Sequence, residues 1–490
     1  MATAPSSLKL DETGLSEPPL CVDMDGTLLR TDTLYEVLVR ALARRWWILF
    51  LLPVWLLRGR ACLKARLAGI VALNPTTLPY RDEFVAWLRE ERGRGRRIVL
   101  ATGAHTSVAR AVSSHLGLFD EVIASTEVDN VTGKVKARLL CDRFGSGNFD
   151  YAGDSAADVA VWQHARQRIA AGSAAAKPGF DRTFPGKGSR VKSFLRALRV
   201  KHWVKNILVF VPLFASHRFM ERDLIARNLV VFLAFSLIAS AVYLVNDLVD
   251  LDSDRRHPIK CRRPFASGAL PIRVGLVAAP LLFAAGFAIA LPLGRSVLAI
   301  LGFYFVLTSV YSFYLKRKML VDVFALAILY TVRIVAGAAA TGLVCSVWLL
   351  AFSVFQFLSL AFLKRSAELT RLARQSGSGT AGRGYFSWDL AQVNISGIAA
   401  GYLACLVLGM YIGGWQVRVL YRQPSWLWII VLVQLYWTTR AWMLSHRGAM
   451  NEDPILFAAG DRVTWICAAV SFSVLAMAAI GGFSLPGITQ

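Results

Sequence analysis

This chain of 490 residues lacks any pairing of its cysteines. The seven, at 21, 62, 141, 261, 345, 405 and 467, are scattered singly, with no Cys-x-x-Cys spacing and no adjoining histidine. That scatter excludes a zinc site and a disulfide framework. Acidic residues are scarce as well, 32 against 55 lysines and arginines, for a formal net charge of +23. In a water-soluble protein this excess would suggest nucleic acid. Here 55% of residues are hydrophobic and the mean hydropathy is +0.48, so the excess reflects cytosolic loops beside anionic lipid, and no nucleic acid partner is expected. The opening residues, MATAPSSLKLDETGLSEPP, have no charged start followed by an apolar core, so no signal peptide is read there and the first domain is expected in the cytosol. Evident internal repeats are missing too, which argues against a transporter.

What is present divides the chain. Residues 1–18 read as a disordered leader, 19–175 as a soluble α/β domain with a helical cap at about 35–91, 176–195 as a Gly/Pro-rich linker and 196–490 as an all-α membrane domain. About nine spans are expected, near 203–218, 226–249, 273–293, 296–315, 320–341, 345–364, 391–413, 425–444 and 462–482. Basic loops at 187–205, 254–273, 316–318, 364–383 and 440–462 alternate with nearly uncharged ones, which places the basic set and the soluble domain on the cytosolic side of a plasma membrane, and the C-terminus outside.

The membrane domain is organised around Asn246 to Gly268, NDLVDLDSDRRHPIKCRRPFASG. Carboxylates at the end of an apolar span are costly unless a cation offsets them. On a continued helix Asp247, Asp250 and Asp254 share a face, with Asn246 beside them, an oxygen-rich set suited to Mg²⁺ that also carries substrate phosphates. Arg255, Arg256, His257, Lys260, Arg262 and Arg263 follow as a basic arm for a multiply charged anion. The alternative is a polar helix end with solvated charges. The pattern Asn-Asp-x-x-Asp-x-x-x-Asp with a following Lys…Arg-Pro…Ser-Gly resembles the first aspartate-rich motif of the UbiA superfamily of intramembrane transferases, a resemblance that runs from roughly Arg190 onward.

In the soluble part, Asp23-x-Asp25-Gly-Thr27 leaves an apolar strand with two carboxylates at i and i+2, one free to attack phosphorus and one to handle a proton. Three elements follow in order: RIVLATG ending at Thr102 and Gly103, NVTGKVK with Lys134 and Lys136, and YAGDSAAD with Asp154 and Asp158. Together they resemble the four motifs of the haloacid dehalogenase superfamily of phosphatases. That resemblance implies Asp23 as nucleophile, Asp25 as general acid and base, Thr102 and Lys136 as phosphoryl ligands with Lys134 as the rival lysine, and Mg²⁺ on Asp23, Asp154 and the Asp25 carbonyl. A degenerate scaffold domain is the alternative. Within the cap, RRWWILFLLPVWLLRGR from Arg44 to Arg60 holds about twelve apolar residues between basic flanks, too few to span a bilayer, which takes roughly 20. Paired tryptophans with flanking arginines suit a helix in the membrane interface, the alternative being a buried cap helix.

Further residues resemble one UbiA branch, the decaprenyl-phosphate phosphoribosyltransferases: Trp203-Val-Lys205-Asn206, His257-Pro-Ile-Lys260-x-x-Arg263-Pro, Val321-Asp322-Val with Arg333, and Leu363-Lys364-Arg365-x-x-Glu368. The second aspartate pair common in the superfamily is reduced to Asp322. The branch implies phosphoribosyl diphosphate and a polyprenyl phosphate as substrates. Mg²⁺ would sit on Asn246, Asp247, Asp250 and Asp254, with Lys260, Arg263 and Lys316 clamping the diphosphate, Lys364 and Arg365 taking the 5-phosphate and Lys205 the acceptor phosphate; Asn206, Tyr311, Asp322 and Arg333 line the site. The fused phosphatase would then remove the 5-phosphate, giving polyprenyl-phosphoryl ribose, a lipid-linked pentose (arabinose) donor precursor for envelope glycans. A homo-oligomer is compatible with this. The alternatives are an aromatic, quinone-type prenyltransferase with an accessory phosphatase, or a phosphatase with a purely anchoring membrane part.

Overall fold

A computed structural model describes residues 17–186, 188–374, 384–450 and 453–480. Nearly all of the expected leader lies outside them. The described chain forms two compact units, one of residues 1–198 with 244–278, the other of 199–243 with 279–490.

The first unit carries a six-stranded parallel sheet. In chain order its elements are β1 (Leu20–Val22), α1 (Thr33–Arg44), α2 (Leu52–Leu57), α3 (Arg60–Ile70), α4 (Asp82–Gly93), β2 (Ile98–His105), α5 (Thr106–Leu116), β3 (Glu121–Ser125), α6 (Lys134–Phe144), β4 (Asp150–Gly153), α7 (Val159–Trp162), β5 (Arg168–Gly172), β6 (Arg182–Pro185) and α8 (Arg190–Ala197). The strand order is β3-β2-β1-β4-β5-β6. β1 and β4 are buried throughout and β2 over most of its length, which is why β1 and the start of β2 read as continuous apolar runs rather than alternating ones. Two apolar clusters cover the sheet, one containing Leu20, Val22, Phe84 and Leu100, the other Cys21, Val99, Tyr151 and Trp162. The chain leaves β1 for β2 on one side and returns to β4 on the other. Ligands bind outside the carboxyl ends of strands at such a reversal, and Asp23 and Asp154 each follow their strand there.

One expectation needs correcting. Part of the stretch read as linker, 176–195, is strand β6, whose residues Arg182–Pro185 pair with Ile169–Gly172. The turn-rich GSAAAKPGF before it concealed four residues too short to carry a period of their own.

The membrane part continues with α9 (Val211–Ala215), α10 (Arg222–Val249), α11 (Leu251–Arg256), α12 (Ile272–Ala290), α13 (Arg295–Phe313), α14 (Val321–Thr341), α15 (Val347–Arg374), α16 (Leu390–Gly413), α17 (Trp415–Leu420), α18 (Trp428–His446), α19 (Pro454–Gly460) and α20 (Arg462–Ile480). Eight helices among the described residues are long and apolar enough to cross a membrane, so this is a multi-pass membrane protein. Small residues let its helices close up: Gly397 faces the Trp442 ring and Phe362, and Gly401 faces Thr438 and Ser359.

The first expected span, near 203–218, is not a long α-helix. It is a 3₁₀ segment, Val200–Phe210, running into α9, with Pro212 at the junction. At 2.0 Å and 1.5 Å per residue the two pieces extend about 30 Å, the thickness of the hydrocarbon layer.

Candidate functional site

Two clusters of chemistry lie in the first unit and one in the second. The first cluster begins where β1 ends. The turn Met24–Leu28 doubles back because Gly26 adopts φ 78°, and a Cβ there would run into the Asp154 carboxylate. Asp23 is 7% exposed. Its Oδ1 accepts from Lys136 Nζ at 2.7 Å, and the same ammonium donates to Tyr151 Oη at 2.9 Å. Tyr151 Oη donates onward to Asp158 Oδ1 at 2.6 Å, while Asp158 Oδ2 accepts from the Asp154 and Ser155 N–H groups at 3.2 and 3.1 Å. Asp158 therefore orients the Asp154 loop and steadies Lys136. Lys134 is exposed and Lys136 buried.

Asp25 is turned the other way, its carboxylate accepting from Thr33 N and Oγ1 at 2.8 and 3.1 Å. Thr102 is fully buried and its Oγ1 accepts from Ala104 N at 3.1 Å. It thus steadies the Gly103–His105 backbone, which lines a cavity of about 1580 Å³ together with Asp23, Asp25, Lys136 and Asp154. Lys64, on α3 of the cap, escaped the sequence reading because no motif marks it. Its Nζ donates to Gly103 O and to Asn130 Oδ1, closing the cap onto this loop.

Charge explains the fitness of this cluster for a cation. Oxygens of Asp23, Asp154 and Asp158 lie within 4.8 Å of one another. Burial, opposed by Lys136, pushes Asp23 up to about 6. Burial and then the Asp23 and Asp158 charges push Asp154 up to about 8. Burial, followed by the Asp32 and Asp23 charges, holds Asp25 well above the ordinary carboxylate range. A divalent cation among these hard oxygens fits. Its absence costs stability at the alkaline end: folded groups with raised pKa values keep protons that the unfolded chain sheds, so stability falls as pH rises from about 4 toward the Asp154 value of about 8. Added Mg²⁺ is therefore expected to raise the melting temperature more at pH 8 than at pH 6, as thermal unfolding of the whole chain with and without Mg²⁺ will test.

The second cluster of this unit is the aspartate-rich stretch. Asp247 and Asp254 are both 2% exposed and share one guanidinium nitrogen, Arg263 Nη1, at 3.1 and 2.7 Å. These two acids thus share one guanidinium. Among the described residues, the triad of Asp23, Asp154 and Asp158 is the one group of acids drawn within 4.8 Å; Asp247, Asp250 and Asp254 are not so gathered. Arg263, expected on a diphosphate, lies between the carboxylates instead. Arg255, expected in the anion-binding arm, also does something else: its Nη1 and Nη2 donate to Glu36 of α1 at 3.1 and 2.6 Å. Arg40 pairs with Glu36 and with both oxygens of Asp252. Lys260 is exposed.

Glu36 is fully buried. Burial opposes its charge, but Arg255 and Arg40 outweigh that and hold the carboxyl below its ordinary value. Glu36→Ala leaves two arginines without their shared partner and is expected to cost about 3–5 kcal/mol, read as a fall in melting temperature.

In the second unit Lys205 is ion-paired with Asp453, which also lies in the field of Lys364 and His202. Asn206 donates from Nδ2 to Ser236 Oγ at 3.0 Å, and its Oδ1 accepts from Arg333 Nε at 2.8 Å. Arg333 reaches Tyr304 Oη at 3.1 Å. Arg365, expected to take a phosphate, is 1% exposed. Its guanidinium bridges Asp322 and Glu368 and touches Tyr311 Oη at 3.4 Å, while Tyr385 Oη donates to Asp322 at 2.8 Å. It therefore locks α14 to α15, and Lys364 is the cation left beside Lys205. Asp453 was missed because a lone aspartate in a basic loop carries no local signal. Lys316 is partly buried.

The UbiA prenyltransferase family model matches residues 209–459, and the haloacid dehalogenase-like hydrolase model matches 20–170. An uncharacterized protein of Sinorhizobium fredii, y4nM, is 37% identical over 94% of this chain and 91% of its own length. Nodulation protein NoeC of Azorhizobium caulinodans is 36% identical over 56% of this chain and 89% of its own. The decaprenyl-phosphate phosphoribosyltransferase of Mycobacterium tuberculosis is 35% identical over 38% of this chain and 63% of its own, just under two thirds.

Proposed function

The chain belongs to the UbiA prenyltransferase family and carries a haloacid dehalogenase-like hydrolase domain ahead of its membrane part, and from this we propose a two-step, Mg²⁺-dependent enzyme of lipid-linked pentose synthesis. The membrane part transfers 5-phosphoribose from phosphoribosyl diphosphate to a polyprenyl phosphate, and the soluble domain removes the 5-phosphate. The observation that carries the proposal is the fusion: a chain with an aspartate-rich transferase stretch also holds a full set of phosphomonoesterase groups, and a phosphoribosyl product still bears the monoester those groups would cleave. One chain raises the effective concentration of the second activity.

In the transfer, an oxygen of the lipid phosphate attacks the pentose C1 while the C1–O bond to the diphosphate breaks, the diphosphate leaving with both electrons. Asn246, Asp247, Asp250 and Asp254 would hold Mg²⁺, with Arg263 held between Asp247 and Asp254, Lys260 and Lys316 beside the leaving group, Lys364 at the 5-phosphate and Lys205 at the acceptor. Mg²⁺ supplies charge neutralisation of the leaving oxygens. Asn206, Arg333, Tyr311, Asp322 and Arg365 position these cations.

In the hydrolysis, Asp23 attacks phosphorus, the bond from phosphorus to the ribose O5 breaks and Asp25 gives its proton to that oxygen. Water, deprotonated by Asp25, then cleaves the aspartyl phosphate. Lys136 neutralises the phosphoryl oxygens, and Asp23, Asp154 and the Asp25 carbonyl would hold the Mg²⁺ of this site. The expected side is cytosolic, in the plasma membrane. Donor choice tests the proposal: purified protein should consume phosphoribosyl diphosphate with polyprenyl phosphate, and prenylation of an aromatic acid from a prenyl diphosphate instead would overturn it.

A further inference from the structure

The cap segment from Arg44 to Arg60 is built the wrong way round for water. Trp46 is 72% exposed, Phe50 68% and Leu57 89%, with Trp47, Leu49, Val54 and Leu56 also open, and α2 buries none of its residues. Ile48 alone in this run is fully buried, which pins the strip to the domain. No acid occurs between Arg44 and Arg66, whereas Arg44, Arg45, Arg58, Arg60, Lys64 and Arg66 do. An apolar face this dense is a docking surface, and its cationic rim without a carboxylate selects an anionic partner.

The catalytic cavity says which partner. One wall is Leu49, Leu52, Pro53 and Leu56 of this strip, and another is Pro271, Ile272 and Arg273, where the membrane-spanning helix α12 starts. A cavity walled by the first turn of a spanning helix sits at the level of the bilayer surface. Asp23 and Lys136 lie in the same cavity.

We infer that the cap strip Trp46–Leu57 is embedded in the headgroup and acyl boundary of the bilayer that the chain spans, and that the phosphatase draws its substrate sideways from that leaflet, lipid chain along the apolar wall and phosphomonoester at Asp23. The occupant is the anionic lipid surface, not a soluble protein. This rests on the function proposed above for the identity of the lipid-linked monoester; the docking itself does not. Tryptophans and arginines favour this depth, and such segments sit about 5–10 Å into the boundary.

The test uses the full chain in nanodiscs of anionic lipid. An environment-sensitive fluorophore is placed at Leu57→Cys, or as a control at Ser146→Cys, exposed ahead of β4 and so at the amino ends of the strands, away from the carboxyl ends that carry Asp23 and Asp154; equally labelled wild type supplies the background from native cysteines. Brominated lipids should quench the Leu57 probe about threefold more strongly than the Ser146 probe. Equal quenching overturns the inference, as does a Leu57 probe shielded from water yet untouched by bromine, which would mean a protein partner or a second copy.

Kinetics give a second readout. Trp46→Glu/Phe50→Glu/Leu57→Glu should lower turnover of a lipid-linked pentose 5-phosphate in vesicles about tenfold and leave p-nitrophenyl phosphate within about twofold; equal effects on both substrates count against docking. Quenching at Leu57 without hydrolysis of the pentose lipid leaves the docking standing and removes the proposed substrate. Hydrolysis without quenching does the reverse.

Discussion

Asp23→Asn stops the reaction sequence after its first half: the lipid product accumulates as its 5-phosphate, and phosphate release falls on the order of 10⁴-fold or more, as expected for loss of a nucleophile. The amide is isosteric with the carboxylate and cannot attack phosphorus. The variant should fold, because Lys136 keeps Asp158 at 3.6 Å and Tyr151 Oη at 2.9 Å. Removing one buried negative charge also relieves Asp154, whose carboxyl is pushed up partly by Asp23. Lipid extracts analysed by mass spectrometry distinguish the two products, and a variant that still releases phosphate at the wild-type rate would remove Asp23 from the chemistry.

Asp247→Asn acts one step earlier and silences everything downstream. It removes one of two carboxylates that meet on Arg263 Nη1, so the site loses a ligand and a negative charge where a cation is proposed to bind. Transfer is expected to fall about 10³-fold. The fold is spared because Arg263 retains Asp254 at 2.7 Å, so no buried guanidinium is stranded. Hydrolysis of p-nitrophenyl phosphate by the same preparation should be unchanged. A parallel loss of both activities would mean that the substitution had damaged the unit as a whole.

The parts of this molecule written in short stretches were legible from sequence. Asp23, Asp25 and Asp154 each stand at a strand end or a tight turn, and Lys136 in the first turn of α6 just after Gly133, all within a few residues of the glycine or apolar run that places them, so local order announced them. Spans announce themselves by length and hydropathy, and eight of them do so among the described helices; the first expected one is instead a 3₁₀ segment and a short helix, which hydropathy does not distinguish from a long one.

Pairs made across the chain were not legible. Glu36 meets Arg255 at a separation of 219 residues, and nothing near either residue reveals the other. The basic arm consequently looked like a uniform anion site, whereas Arg255 is held by Glu36 and Arg263 by two aspartates. Arg365 misled for the same reason: beside Lys364 in sequence it resembles a second phosphate cation, and only the folded chain brings Asp322 against it. The cap strip shows the opposite case. Its composition favoured a helix in the membrane interface over a buried one, and the exposure of Trp46, Phe50 and Leu57 excludes the buried reading for these residues.

The most direct test of a two-step synthase is one assay of the purified protein in lipid with radiolabelled phosphoribosyl diphosphate, polyprenyl phosphate and Mg²⁺, run on wild type, Asp23→Asn and Asp247→Asn. The account predicts polyprenyl-phosphoryl ribose from wild type, its 5-phosphate alone from Asp23→Asn and no labelled lipid from Asp247→Asn. Wild type that forms no labelled lipid, while prenylating an aromatic acceptor from a prenyl diphosphate, would contradict it.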